Sequence, residues 1–381
     1  MKKVFLAQEI GSLAKPVWRT KAYRGEELSK KEIADAMSWG RRLGVENLKD
    51  LEDLLSGGDA PRRRDALLEW SSLFAIKLFE VAGLDVIFSG EQWRSEMYEH
   101  VIRNASGFEF LGYVKSFDYR YFRKASCISR PKFLRTLYGD EFRFAKRNTR
   151  RKLKVPFTGP YTIVDWTFNE YYEKRQDREI RDLKRRRFEA RKDFLFDLIK
   201  EVIRPEISEL VGSGAKWIQI DEPAATTNPS EEEMKLFVES FNEAVKGFDC
   251  VFSLHNCYSN YEVLAKYICE LEGCGQLALE FANRDSKEVS VAHRDGYKEI
   301  MLFENQGFEG TYGIGVVDVH TDFIEPAELV KERILHVVDM VDDPDRVYVN
   351  PDCGLRTRTW ETSFQKLRNM VVGARLARDS L

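Results

Sequence analysis

The feature of this sequence that most constrains its fold is the alternation of short apolar runs with longer segments of helical periodicity. Most of the apolar runs end in a polar or Gly/Pro cluster, which is typical of buried strands. Strands that alternate with helices predict βαβ units and a parallel sheet, and about eight right-handed units close into a (β/α)8 barrel. The runs cover residues 4–10, 84–89, 155–159, 217–220, 251–254, 277–280, 314–320 and 347–350.

The segments between these runs include ordinary helices and two insertions. Residues 180–203 carry apolar side chains on one helical face, whereas residues 15–65 are predicted to form helices and loops inserted after the first strand. The aromatic-rich segment 116–154 predicts a hairpin-like excursion or long loop. A further apolar run at 125–129 brings the candidate strands to nine, one more than an eight-stranded barrel needs, so we expect one of them to lie outside the barrel. With no repeat or low-complexity linker, we expect one catalytic barrel spanning residues 1–381.

The charge balance gives no global reason to bind nucleic acid or an anionic membrane. The 381 residues include 60 Lys+Arg and 63 Asp+Glu, for a net charge of -3. A basic run at 146–152 favours a solvated surface, with docking of an acidic partner as the alternative. No run approaches the ~18 apolar residues of a membrane span. The N-terminal residues resemble a strand more than a signal peptide, so we expect a cytoplasmic protein with reduced thiols.

Several polar side chains with metal-binding chemistry follow the ends of predicted strands. His255 and Cys257 lie two apart in an extended segment and therefore point to the same side. Glu280 and Cys353 follow two other strands, and catalytic side chains of barrels gather at these ends. One imidazole, two thiolates and one carboxylate form a set that suits Zn2+. From spacing alone, a His-x-Cys pair is more often a packed histidine and an inert buried cysteine than a metal site.

Seven short motifs resemble the catalytic half of cobalamin-independent methionine synthase. They occur in that family's order and span nearly the whole chain, which makes the combination specific. The motifs are Ile10-Gly11-Ser12, Gly90-Glu91, Thr158-Gly159-Pro160, Ile218-Gln219-Ile220-Asp221-Glu222-Pro223-Ala224, His255-Asn256-Cys257-Tyr258, Val317-Asp318-Val319-His320 and Val349-Asn350-Pro351-Asp352-Cys353-Gly354-Leu355.

The resemblance implies a single barrel of the methionine synthase and uroporphyrinogen decarboxylase type, with a zinc site and a homocysteine pocket. It implies zinc ligands at His255, Cys257, Glu280 and Cys353. The uroporphyrinogen decarboxylases share the fold but need no metal. It implies that Ile10 and Ser12 hold the homocysteine carboxylate, that Glu91 and Asp221 bind its ammonium, that Trp166 lies beside the methyl donor and that His320 transfers a proton.

Each of these residues also has a purely structural interpretation. Ser12 and Glu91 are able to cap a helix or bridge two strand ends, and Asp221 begins a stretch that would suit a turn. Trp166 would also suit a place in the hydrophobic core, and His320 would suit a hydrogen-bonded position at the end of a strand. The functional interpretation of these positions therefore depends on the resemblance.

The chemistry implied is the activation of a thiol. A free alkyl thiol has a pKa of ~8.5, so most of it is protonated at neutral pH. Zinc would stabilise the thiolate and leave it nucleophilic, while a strongly negative ligand set keeps the metal from quenching the sulfur. The methyl group must then lie in line between the sulfur and its departing partner.

The sequence departs from the family on the side of the methyl donor. No segment of these residues matches the second, N-terminal barrel of the full-length synthase, so we expect a short core form. Ala225, Thr226 and Thr227 stand where the family usually has Leu-Arg-Glu. We therefore expect the donor to be a methylcorrinoid, carried on a protein, or a pterin other than polyglutamyl folate.

Two alternatives compete with homocysteine methylation. Another thiol such as coenzyme M would suit the same superfamily, but Glu91 and Asp221 match an ammonium that coenzyme M lacks. A non-catalytic zinc-binding barrel is the alternative of a different class. It would keep its metal site closed, whereas a catalytic site leaves one position exchangeable.

Overall fold

The computed structural model describes residues 3–57, 63–115, 121–176 and 180–381. The strands are β1 Val86–Ile87, β2 Ala105–Lys115, β3 Tyr121–Phe133, β4 Lys152–Leu153, β5 Val155–Thr158, β6 Trp217–Asp221, β7 Val251–Asn256, β8 Cys274–Leu279, β9 Thr311–Val317 and β10 Val347–Pro351. The helices are α1 Val17–Arg24, α2 Lys30–Arg42, α3 Leu48–Leu55, α4 Arg63–Ala82, α5 Met97–Asn104, α6 Gly139–Asn148, α7 Pro160–Asp165, α8 Glu170–Arg175, α9 Leu183–Leu198, α10 Arg204–Gly212, α11 Glu231–Val245, α12 Tyr261–Ala265, α13 Ile300–Glu304, α14 Ala327–Val341 and α15 Trp360–Arg378.

The centre of the molecule is a parallel sheet of six strands in the order β10-β9-β8-β7-β6-β5. Residues beyond its two edges continue the pairing. Ala7 bridges Val349 of β10, Gln8 bridges Val86 of β1, and β1 pairs in parallel with β4, which precedes β5. The protein is therefore α/β with a parallel sheet, as the alternation of runs predicted, and its pairings lead from β10 back to β5.

The strands are apolar because the sheet is buried on both faces. In β9, every residue from Tyr312 to Val317 is buried. The polar side chains inside the sheet satisfy one another. Gln8 donates through Nε2 to Gln276 and to Asn350, each at 3.0 Å, and so links the N-terminal segment to β8 and β10.

The predicted helix over residues 180–203 forms as α9 followed by a π-helical turn at Ile199–Ile203. Asp182 caps α9 by accepting hydrogen bonds from the backbone of Lys184 and Arg185. The five residues expected on its apolar face are all buried: Phe194, Leu195, Leu198, Ile199 and Val202. Among the described helices, none is long and apolar enough to cross a membrane.

The two insertions form with different boundaries from those expected. The segment at 15–65 forms α1, α2, α3 and the start of α4, apart from residues 58–62, which lie outside the described part. The hairpin consists of β2 and β3 and so begins at residue 105, before the expected 116. The rest of the predicted excursion forms α6 and β4, and residues 116–120 lie outside the described part. The accessory run 125–129 lies within β3.

A buried ionic cluster holds α14 against the loop that follows β8. Asp285 accepts from Arg333 and from Arg294, both at 2.9 Å, and the side chains of Asp285 and Arg333 have no exposed surface. Arg333 also donates to the Val316 carbonyl of β9 and to Ser286. The cluster therefore fixes the region where β8 and β9 end.

Replacing Asp285 with alanine should lower the free energy of unfolding by about 3–5 kcal/mol, because the buried guanidinium of Arg333 loses its counter-charge and Arg294 is left with Glu332 alone. Urea denaturation measures the effect. Asp249→Ala is the matched control, since that fully exposed carboxylate pairs with Lys216 at 3.4 Å on the surface and its loss should not be measurable. Equal losses in the two variants would contradict the role given to the cluster.

Candidate active site

A pocket of about 110 Å³ opens where the strands of the parallel sheet end. Nine of the ten residues predicted to form the site line it, and Glu280 is the exception. They are Ile10, Ser12, Glu91, Trp166, Asp221, His255, Cys257, His320 and Cys353. The parallel register explains the gathering, because Asp221 at the end of β6 lies directly beside His255 of β7.

Three of the predicted ligands form a cluster able to hold a metal ion. One ligand atom from each of His255, Cys257 and Cys353 lies within 4.8 Å of the others, and the two sulfurs are 3.6 Å apart. The Nδ1 atom of His255 bonds to the Ala278 carbonyl at 2.9 Å, which turns Nε2 toward the cluster. That buried Nε2 atom has no hydrogen-bond partner in the described residues, so it is available to bind a metal ion.

Glu280, the fourth predicted ligand, is not among the residues that line the pocket and does not belong to the cluster. Its Oε1 atom accepts from the Tyr258 backbone and from Arg284, both at 3.0 Å. Its Oε2 atom is buried and has no partner in the described part of the chain. Of the two carboxylate oxygens of Glu280, one is therefore held by Tyr258 and Arg284, and the other is available to bind a further group.

The cluster is electrostatically uneven in the absence of a cation. The hydrogen bond from Cys257 lowers the pKa of Cys353, and the same bond together with burial raises the pKa of Cys257. Burial opposes the charge of His255, but the nearby negative Cys353 outweighs burial and raises the pKa of His255 to about 9. Cys353 is therefore the thiolate of the pair, and the site attracts positive charge.

Two carboxylates face the same pocket and are held from behind. Gln219 donates to Asp221 at 2.8 Å and to the Ile10 carbonyl at 2.6 Å, so one amide positions two walls. Burial raises the pKa of Asp221 to about 7. Arg94, itself buried, lies 3.3 Å from Glu91. A cationic group entering between Glu91 and Asp221 would relieve their repulsion.

The glycines of two motifs are required by close approach. A Cβ atom on Gly11 would lie 2.8 Å from the Glu91 carboxylate, and one on Gly354 would lie 2.5 Å from the Ser12 hydroxyl. Glu91 and Tyr258 both line the pocket with left-handed backbone, at φ 55° and 58°. Such conformations are costly for side chains with a Cβ and concentrate at functional sites.

The mouth of the pocket contains a histidine and a stacked tryptophan. His320 has its backbone bound by Asp318, and its Nδ1 atom is 3.2 Å from the Tyr258 hydroxyl. Its Nε2 atom has no partner in the described residues. Trp166 stacks on Phe122 of β3 at 5.3 Å, so the hairpin supports one wall of the pocket.

Sequence reasoning missed residues that position the site. Asp352 accepts backbone hydrogen bonds from Phe281, Ala282 and Asn283 and thereby joins the end of β10 to the end of β8. Tyr258 contacts His320 and the carboxylate of Glu280. Both residues lie inside motifs already singled out, next to a cysteine predicted to bind metal, and this adjacency was the signal available.

The unusual stretch Ala225-Thr226-Thr227 lies outside the lining of the pocket. Ala225 is fully buried, and the hydroxyl of Thr226 accepts from the Asn260 backbone at 3.1 Å ahead of α12. In the described part of the chain, Pro223 is the nearest residue of this segment that lines the pocket. These substitutions therefore alter the surroundings of the site and leave its inner wall unchanged.

Comparison with known proteins identifies the family. The model for "Cobalamin-independent synthase, Catalytic domain" matches residues 71–376. The chain belongs to this family and is a methyltransferase. It is 37% identical to the methionine synthase of Thermoplasma volcanium, over 96% of each chain, and 36% identical to that of Thermococcus kodakarensis, over 98% of this chain and 93% of the relative.

Solved structures show the same fold at lower identity. A B12-independent methionine synthase from Shewanella sp. W3-18-1 in complex with selenomethionine has a TM-score of 0.73 and 19% identity, and the alignment covers 99% of this chain and 98% of that one. A methyltransferase from Methanosarcina mazei has a TM-score of 0.58 and 12% identity, with coverage of 99% and 94%. The resemblance to this family, inferred from the motifs, is confirmed.

A divalent metal ion should protect the clustered cysteines from alkylation. In metal-free protein at neutral pH, iodoacetamide should modify Cys353 readily, because it is a partly exposed thiolate. One equivalent of metal should nearly abolish that reaction, since the sulfur becomes a ligand. Mass spectrometry of the peptides measures it, with the exposed Cys269 as the internal control. Equal protection of Cys269, or none of Cys353, would contradict the metal site.

Proposed function

We propose that this chain is a zinc-dependent enzyme that methylates the thiol of homocysteine to form methionine, with a methylcorrinoid as donor. The observation that carries the proposal is the position of the His255, Cys257 and Cys353 cluster in one small pocket with two buried carboxylates. A thiol bound at the cluster would place an attached ammonium group within the acidic part of the same pocket.

His255, Cys257 and Cys353 would hold the metal, and the unpartnered Oε2 of Glu280 is the candidate for the fourth ligand. Nitrogen and thiolate donors of this kind match zinc. The bound zinc would stabilise the substrate thiolate at neutral pH. Because Glu280 already binds Tyr258 and Arg284, its oxygen is well placed to yield a ligand position to substrate.

Homocysteine suits the pocket because it has an ammonium as well as a thiol. Glu91 and Asp221 would bind the ammonium, and Ser12 with the backbone around Ile10 would bind the carboxylate. The Shewanella methionine synthase was solved in complex with selenomethionine, an analogue of methionine, and this complex supports homocysteine as the class of substrate. Coenzyme M has no ammonium to satisfy the two carboxylates.

The donor proposal rests on the size of the pocket. A cavity of about 110 Å³ is smaller than the ~300–1,000 Å³ typical of sites that enclose drug-sized ligands, which favours a donor that stays largely outside the pocket. A corrinoid would need to bring only its methyl group into the mouth. A methylated corrinoid protein is therefore the proposed partner, and a pterin other than polyglutamyl folate is the alternative that His320 and Trp166 favour.

The proposed architecture is a closed (β/α)8 barrel with its N-terminal helices and hairpin as insertions in one catalytic domain. The pairings from β10 through residues 7 and 8 to β1 and on to β4, together with the direct chain connection from β4 into β5, support closure. Closure would explain why residues from both ends of the chain, such as Ser12 and Cys353, share one pocket.

Asp221→Asn and Glu91→Gln should each weaken homocysteine binding about ten- to a hundred-fold, because each removes a charge-assisted hydrogen bond to the ammonium. Calorimetry of zinc-loaded protein measures the affinity, and zinc content shows that the metal is retained. The control is 4-mercaptobutanoate, which lacks the amino group and should bind wild type and variants alike. Unchanged homocysteine affinity in both variants would place the amino-acid pocket elsewhere.

His320→Gln should distinguish the two donor classes. The methyl group of a methylcorrinoid passes to the thiolate and the corrinoid departs as cobalt(I), which needs no proton, so turnover with methylcobalamin should fall only mildly. A pterin nitrogen needs a proton as it leaves, and that route should lose about 10²–10⁴-fold. His336→Gln, on α14 outside the pocket lining, is the matched control. Robust turnover with methyl-folate and none with methylcobalamin would overturn the corrinoid proposal.

A further inference from the structure

A second and larger cleft lies behind the wall of the catalytic pocket. It has a volume of about 710 Å³ and lies between α1 with the start of α4 on one side and α5 with α6 on the other. The two cavities share segments of chain. Ser12 and Glu91 line the catalytic pocket, whereas Lys15 and Trp93, a few residues further along, line the cleft.

Three of the five lysine and arginine side chains that line the cleft lack counter-charges in the described part of the chain. Lys15, Arg19 and Arg135 line it and make no ion pair there. Arg19 donates to the Gln92 carbonyl at 2.8 Å, and Arg135 donates to Asn104 at 2.6 Å, so both bind neutral partners.

The acidic residues of the cleft are engaged elsewhere or exposed. Glu141 lies 3.0 Å from the buried Arg94, and Asp140 lies 2.7 Å from Arg143. Asp65 is exposed at the rim. The cleft therefore presents an excess of positive charge that its own carboxylates do not neutralise.

Two buried donors in the same lining point to a missing ligand. Arg19 is 7% exposed, and its Nε atom has no acceptor in the described residues. The indole Nε1 of Trp93 is also buried without an acceptor there. Buried donors are rarely left unsatisfied, because each costs free energy. Burial and the adjacent Arg19 lower the pKa of Lys15 to about 8, which an anion in the cleft would reverse.

We propose that this cleft binds the oxyanion group of a small molecule, a phosphate or a carboxylate, through Lys15, Arg19 and the indole of Trp93. Guanidinium and ammonium groups with several donors are the usual partners of such anions. The volume of the cleft lies within the range that encloses a small molecule or cofactor, so it accommodates more than the anion alone. Neither the metal cluster nor the two carboxylates of the catalytic pocket take part.

The test is calorimetric titration of the intact protein with inorganic phosphate and, separately, with glutarate, at low ionic strength. At least one probe should bind, and Lys15→Gln or Arg19→Gln should weaken it about ten- to a hundred-fold. The stronger probe identifies the oxyanion. Lys216→Gln is the matched control, since Lys216 lies outside the cleft, is 75% exposed and pairs with Asp249, and this variant should bind like wild type.

Because Arg19 is buried, the unfolding midpoint of the Arg19→Gln protein must be checked. Lys15 is only partly buried, so Lys15→Gln still tests the proposal if Arg19→Gln does not fold. Absence of binding by both probes would overturn the proposal. So would binding that Lys15→Gln leaves unchanged. Zinc content and homocysteine affinity are measured on the same samples, so that failure of the cleft is distinguished from failure of the catalytic site.

Discussion

The site depends on the parallel backbone ladder that joins β6, β7 and β8. This ladder places Asp221 beside His255 and His255 beside Ala278, whose carbonyl then fixes the imidazole. Because parallel strands end on the same side of a sheet, ligands distant in sequence meet without any local motif to hold them. The buried carboxylate of Asp352 completes the arrangement by joining the loop after β8 to the end of β10.

The pocket brings several acidic side chains close together. Glu91 and Asp221 both line it, and the pKa of Cys353 in the same lining is lowered by its hydrogen bond with Cys257. Burying like charges is unfavourable unless cations enter, and a metal ion together with a substrate ammonium would supply them. The left-handed backbone of Glu91 and Tyr258 is consistent with a site whose geometry is maintained at some cost in stability.

The hairpin and the N-terminal helices have roles beyond covering the sheet. Phe122 of β3 stacks on Trp166 and so supports the mouth of the catalytic pocket. The segment that leads from Ser12 into α1 forms one wall of the cationic cleft, which α5 and α6 complete. Both segments therefore line or support cavities that the sheet alone would not form.

The sequence by itself determined the parallel α/β fold, the family and the residues gathered in the pocket. The spacing of apolar residues along the chain and the position of a residue at the end of a strand are local properties of the sequence. Motifs such as His255-Asn256-Cys257 likewise carry their chemistry in a few residues. Tertiary structure alone decided that Glu280 binds Tyr258 and Arg284, that the hairpin begins at residue 105, and that the substituted Ala225 lies outside the pocket. These outcomes depend on contacts between residues far apart in the chain, which no local pattern encodes.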